Sequence, residues 1–91
     1  MLLKETINDM CSSDYKARFG AEYWQVRIRA EKLEKMLKDW EDGKLKFTPT
    51  CPKNTYYLQL KVMKEYIAIL DLRALAEGID VYEYLYSTKE D

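Results

Sequence analysis

The stretch DYKARFGAEYWQVRIRAEKLEKMLKDWED, residues 14–42, reads as one uninterrupted helix with a continuous apolar seam. Phe19, Tyr23, Val26, Ala30, Leu33, Leu37 and Trp40 follow one another at alternating steps of four and three, the heptad spacing that keeps side chains on one helix face. At ~1.5 Å per residue such a helix is roughly 43 Å long. Trp24 and Ile28 add a second apolar strip one position further round. One antiparallel partner does not cover both strips, so the pattern predicts a third helix or a second subunit.

The ends of this helix are marked by residue chemistry. Ser12 and Ser13 precede it and offer oxygens to its first free amides, while Asp14 suits its positive end. Gly43, able to take the left-handed conformation, closes it. Gly20 lies inside, at a cost of about 1 kcal/mol against alanine, and therefore either admits a close neighbour or is tolerated.

The loop over residues 43–51 leads into Pro52, and its stretch LKFTPTCP, residues 45–52, carries two prolines and is expected to run extended, with Leu45 and Phe47 folded back over the hairpin tip. Pro52 suits a first helical position, with Thr50 or Cys51 as its cap. From 52 to 77 a second helix places Tyr56, Leu60, Met63, Ile67, Leu70 and Ala74 at the same four and three steps. Two seams of equal period joined by a short loop predict an antiparallel helical hairpin, with Trp40 near Tyr56, Leu33 near Met63, Val26 near Ile67 and Leu70, and Phe19 near Ala74. Val62, Tyr66 and Ile69 form an extra strip on the second helix.

The two ends are short. Residues 2–10 form a small helix with Leu3, Ile7 and Met10 on one stripe, too short to stand without docking. In the tail, residues 79–91, Asp80 with Glu83 resembles a capping box that opens a short helix, whereas Tyr82, Tyr84 and Tyr86 alternate as in an edge strand. The fold class is all-α: one domain over 1–91, assembling into a homo-oligomeric bundle because a core of this size is marginal alone.

Charge is uneven along the chain. Residues 14–64 carry a net +5 and residues 65–91 a net −5, within an overall −1. Either the two halves neutralise each other or a basic surface is kept for an anion, and charges on helices are most often the solvated face. The balance argues against general nucleic-acid binding. Cys11 and Cys51 lack metal-ligand spacing and the chain has no histidine, so no metal or cofactor is expected. Without a secretion signal or an apolar run that approaches a membrane span, the expectation is a soluble, cytoplasmic protein with reduced thiols.

Catalysis is not expected either. The commonest general acid and base is missing, and the carboxylate pairs Glu31 with Glu34 and Asp39 with Asp42 lie on helix surfaces beside lysines. Binding is better supplied, because eight tyrosines and two tryptophans exceed what a hairpin core needs. Arg18, Arg27, Arg29 and Arg73 are candidate phosphate ligands, and Tyr23, Trp24 and Tyr66 candidate stacking surfaces, together a nucleotide-binding set. The competing assignment packs the aromatics into a dimer interface and pairs the arginines with Glu22, Asp71 and Glu77.

The segments DYKARFGAEYWQVRIRAEKLEKML, LKFTPTCP opening a helix, and YIAILDLRALAEGI together resemble a family of small uncharacterised proteins of phages and prophages of Gram-positive gut bacteria, first named from a crAss-like phage. The likeness runs from about Leu3 to Ile79. It implies an accessory phage protein in the infected host's cytoplasm that counters host defence, by sequestering a cyclic nucleotide or ADP-ribose-derived signal. Two alternatives are a protein-binding inhibitor of a defence effector, in the manner of an anti-CRISPR protein, and a structural phage protein that only self-associates.

Overall fold

The computed structural model describes residues 1–85; Tyr86 and the five residues after it, to which the tail reading extended, lie outside the described residues. The chain is all-α, with no strand among the described residues. A 3-10 helix, Leu3–Thr6, leads into a single α-helical turn, α1, Ile7–Met10. Two long helices follow, α2, Tyr15–Glu41, and α3, Lys53–Glu77, and a 3-10 turn, Val81–Tyr84, comes last. The 27 residues of α2 run about 40 Å, close to the 42 Å long dimension of the molecule.

The caps explain where the helices begin and end. Asp14 is the N-cap of α2, its carboxylate accepting from the Lys16 amide at 3.0 Å, and Ser12 Oγ accepts from the Asp14 amide at 3.0 Å. Both long helices close with a left-handed glycine, Gly43 at φ 72° and Gly78 at φ 68°. In each, the amide beyond the glycine reaches back five residues, Lys44 to the Asp39 carbonyl at 2.8 Å and Ile79 to that of Ala74 at 2.9 Å. At the start of α3 the expected capping by Thr50 or Cys51 is replaced. Pro52 itself is the extended residue before the helix, and its carbonyl takes the Thr55 amide at 3.0 Å.

The two heptad seams meet as an antiparallel hairpin. Phe19, Tyr23, Val26, Leu70 and Ala74 share one buried cluster, against which Met63 and Ile67 pack. Toward the tip, Ala30, Leu37 and Leu60 form a second cluster flanked by Leu33, Trp40 and Tyr56, with the Trp40 and Tyr56 rings 6.2 Å apart and nearly perpendicular. Burying each of the large side chains is worth about 1.5–3 kcal/mol, which is what holds α2 on α3.

Two expectations fail at the periphery. Phe47 does not fold over the tip but stands 60% exposed, with Leu45 half-buried, and the loop bends at residues 46–47 where an extended run was expected. Ile7 points outward, 59% exposed, and Thr6 is buried in its place. The first turn is 3-10, at three residues per turn, so the α-helical stripe of Leu3, Ile7 and Met10 falls out of phase. Thr6 tolerates burial because its hydroxyl donates to the Leu3 carbonyl at 2.8 Å.

The second strip of α2 also finds an unexpected cover. Trp24 and Ile28 are buried neither by a third long helix nor by another subunit but by the chain's own ends, with Leu3 and Met1 from one side and Ile79, Val81 and Tyr84 from the other. Trp24 Nε1 donates to the Val81 carbonyl at 2.8 Å, tying the last turn to the middle of α2. Gly20 admits Tyr84, whose ring and Cβ lie where a methyl group at this position would be.

Candidate functional site

The seven residues singled out by sequence fall on two flanks of the hairpin. Arg18 and Arg27 are nine positions apart on α2, half a turn round, so they face opposite sides. Arg18, Glu22 and Arg29 lie on one flank, beside Tyr66 and Arg73 of α3; Tyr23, Trp24 and Arg27 lie toward the other. No single small ligand can touch all seven.

On the first flank the polar groups are already engaged with each other. Arg73 donates to the Tyr15 hydroxyl at 2.7 Å and to Glu77 at 3.3 Å, and Tyr15 donates to Glu77 at 2.8 Å, a closed triangle at the open end of the hairpin. The Arg73 guanidinium lies 4.9 Å above the Phe19 ring centre. Arg18 donates to the Ser12 carbonyl at 2.9 Å and covers the edge of α2 near Tyr15. Tyr66 donates to Glu22, and that hydrogen bond, more than its partial burial, pushes the phenol up from its usual range. Arg29 is exposed.

The second flank is concave. Met1, Trp24, Arg27, Ile28, Glu31 and Tyr82, with Leu85 at the rim, line a groove of about 350 Å³ between α2 and the last turn. Arg27 is its centre. Its guanidinium lies 5.1 Å above the Trp24 ring centre, donates to the Tyr23 hydroxyl at 3.0 Å and to the Tyr82 hydroxyl at 3.4 Å, and meets Glu31 at 3.4 Å. The bond to Tyr82 holds the guanidinium proton more firmly than usual, against the opposing effect of burial.

Around Arg27 the aromatics play different parts. Tyr23 is a core residue; burial first, then a hydrogen bond to the Asp71 carboxylate, pushes its phenol up, with Arg27 pulling the other way. Trp24 is 6% exposed, and its indole N–H is committed to Val81. Tyr82, 58% exposed and set edge-on to Trp24 at 5.5 Å, is the aromatic face a solute would meet first.

Sequence reasoning did not select Tyr82, because the alternation of tyrosines in the tail was also compatible with a strand. The signal was Asp80, whose carboxylate caps the last turn by accepting from the Tyr82 amide at 3.0 Å and so fixes where Tyr82 points. A second, more open hollow of about 460 Å³ lies along α3 beside Tyr57, Lys61, Lys64 and Ala68. It has no opposing wall from another element, and its lysines face Glu65 at 2.9 Å and Glu34 at 2.7 Å. Among the described residues no group of three or more acids and thiols could hold a metal ion, and no helix is long and apolar enough to cross a membrane.

Comparison with known proteins adds one finding. No curated protein and no solved structure matches the chain. A family model described as Sequestin matches residues 13–76, from the cap of α2 almost to the end of α3. The match includes Trp24, Arg27 and Glu31 of the groove, while Met1, Tyr82 and Leu85 lie outside it. Covering more than half of the sequence, it establishes that the chain belongs to the Sequestin family.

Proposed function

We propose that the protein counters host defence by binding and retaining a nucleotide-derived immune signal in the groove around Arg27, one ligand per site and without turnover, as an accessory protein of a phage acting in the host cytoplasm. The observation that carries this reading is the groove itself. A permanent cation sits at its centre between aromatic surfaces, with Glu31 as its neighbour, in a hollow of about 350 Å³, within the range of ligand sites, which run from ~300 Å³ upward. Arg27 would take a phosphate through two parallel N–H bonds, and Tyr82 would lie against a base. Membership of a family named Sequestin supports retention over conversion, as does the lack of histidine.

Isothermal titration against cyclic dinucleotides and ADP-ribose isomers tests the proposal. One member of that panel should bind, with Arg27→Ala weakening it ~10- to 100-fold, the loss expected of one charge-assisted hydrogen bond set worth roughly 1.5–3 kcal/mol. Tyr82→Ala should weaken it less. Flat traces throughout would remove the reading, and a loss confined to Arg18→Ala and Arg73→Ala would move the site to the other flank. A second reading, direct inhibition of a defence effector, draws on the exposed apolar residues of α3 and predicts capture of that effector from host lysate.

A further inference from the structure

Helix α3 is apolar on two opposite faces. Tyr56, Leu60, Met63, Ile67, Leu70 and Ala74 face α2; two positions further round, Leu58, Val62, Glu65, Ile69, Leu72 and Ala76 repeat the same steps of four and three. This outer row is bare. Leu58, Val62, Ile69 and Leu72, with Leu75 beside them, are between 53% and 82% exposed. Scattered exposed leucines are ordinary, but a helix apolar on two faces belongs against a second surface, and monomers seldom leave a row of four large apolar side chains, interrupted only by Glu65, in water.

We infer that a second copy of the chain covers this row, α3 packing on α3 in opposite directions about a two-fold axis level with Ile67. The row is self-complementary in that register. Leu58 comes opposite the partner's Ala76, large against small, and Val62 opposite the partner's Leu72, apolar against apolar; Glu65 comes opposite the partner's Ile69, so its carboxylate must reach out of the seam toward Lys61 on its own helix. At the borders, Lys61 comes opposite the partner's Leu75 and Arg73 opposite the partner's Gln59, so no charge meets its like. A parallel pair would instead set Glu65 against the partner's Glu65 inside the seam. In the antiparallel pair each Glu65 keeps Lys61, 2.9 Å away on its own helix.

The size is sufficient. From Leu58 to Ala76 the row is about 27 Å long. Its bared side chains and their polar borders, counted on both copies, reach the ~1,000 Å² that separates a stable association from a chance contact. The pair leaves the groove around Arg27 open, since that groove lies on α2 and the last turn, and the inference therefore stands apart from the ligand reading. It also sets Tyr66 and Arg73 of both copies along one edge of the seam.

Light scattering and sedimentation equilibrium on the full chain should give twice the 10.9 kDa chain mass. Ile69→Glu with Leu72→Glu should halve that mass while the far-ultraviolet helical signal is unchanged. For the register, Ala68→Cys on a Cys11→Ser, Cys51→Ser background sits beside the axis and should link to its own copy under mild oxidation, whereas Leu58→Cys should not. A monomer at tens of micromolar, a dimer that survives the two glutamates, or linkage through Leu58→Cys in place of Ala68→Cys would each overturn the inference.

Discussion

Gly20→Ala should destabilise this protein although it improves the helix. Inside α2, alanine in place of glycine is worth about 0.8–1.0 kcal/mol through backbone propensity alone. Its methyl carbon, however, would lie 2.5 Å from Tyr84 Cδ2, 2.6 Å from Cγ and 2.8 Å from Cβ, where carbon atoms settle at ~3.5–4.0 Å. Cβ and Cγ are the root of the side chain, so rotating the ring does not clear the overlap; the last turn must move. Overpacking of this kind costs ~1–3 kcal/mol. Displacing the turn fully would also expose Val81 and strip its carbonyl of the Trp24 indole, another ~1–3 kcal/mol. The net expectation is a loss of about 1–2 kcal/mol, a fall in Tm of roughly 5–15 °C for a chain of this length.

Thermal melts followed by far-ultraviolet circular dichroism measure the loss, and Trp24 fluorescence on a Trp40→Phe background reports the last turn directly. The decisive comparison is the same substitution on a Tyr84→Gly background. There all three overlapping Tyr84 atoms are gone, and Gly20→Ala should raise stability by about 1 kcal/mol. A change of sign between the two backgrounds is therefore predicted. If Gly20→Ala stabilises both backgrounds equally, Tyr84 does not rest on Gly20 and the account of how the last turn docks is wrong.

Three further outcomes follow from the same packing. Trp24→Phe leaves the Val81 carbonyl without its donor and should cost about 1–3 kcal/mol in urea denaturation, whereas a cost below half a unit of that range would mean water replaces the indole. Tyr23 has its phenol pushed up by burial, so the folded state holds a proton that the unfolded chain releases near its ordinary value of 10.0; its contribution is intact below that pH and is lost above it. The alkaline decline in stability should be shallower in Tyr23→Phe, with identical slopes refuting the assignment. Phe47→Ser, at an exposed loop position, should change stability by no more than ~0.5 kcal/mol.

Helix periodicity made the hairpin legible in advance. The seam from Phe19 to Trp40 and the stop at Gly43 express backbone geometry over a few neighbouring residues, and the pairing of Trp40 with Tyr56 follows once a short loop joins two seams of equal period; the cap of the first long helix, expected from Ser12 or Ser13, is instead Asp14. What failed was also local, and instructive for that reason. Ile7 was assigned to the wrong side because a 3-10 turn replaced an α turn, a shift of phase that composition does not announce.

The candidate site was legible only in its ingredients. Arginines and aromatics are visible in the sequence, but which flank each occupies depends on the turn angle between positions, and Tyr82 joins Arg27 only because the chain returns across α2 fifty-five residues later. Likewise the sequence showed surplus apolar strips on both long helices without saying which would be covered. Tertiary structure decided it: the chain's ends reach Trp24 and Ile28, while the outer row of α3 stays bare. The reason is physical. A helix and its stripe are fixed by hydrogen bonds and rotamers between near neighbours, whereas the fate of a stripe depends on loop closure and on the fit of one tyrosine over one glycine, interactions between segments that local pattern cannot bring together.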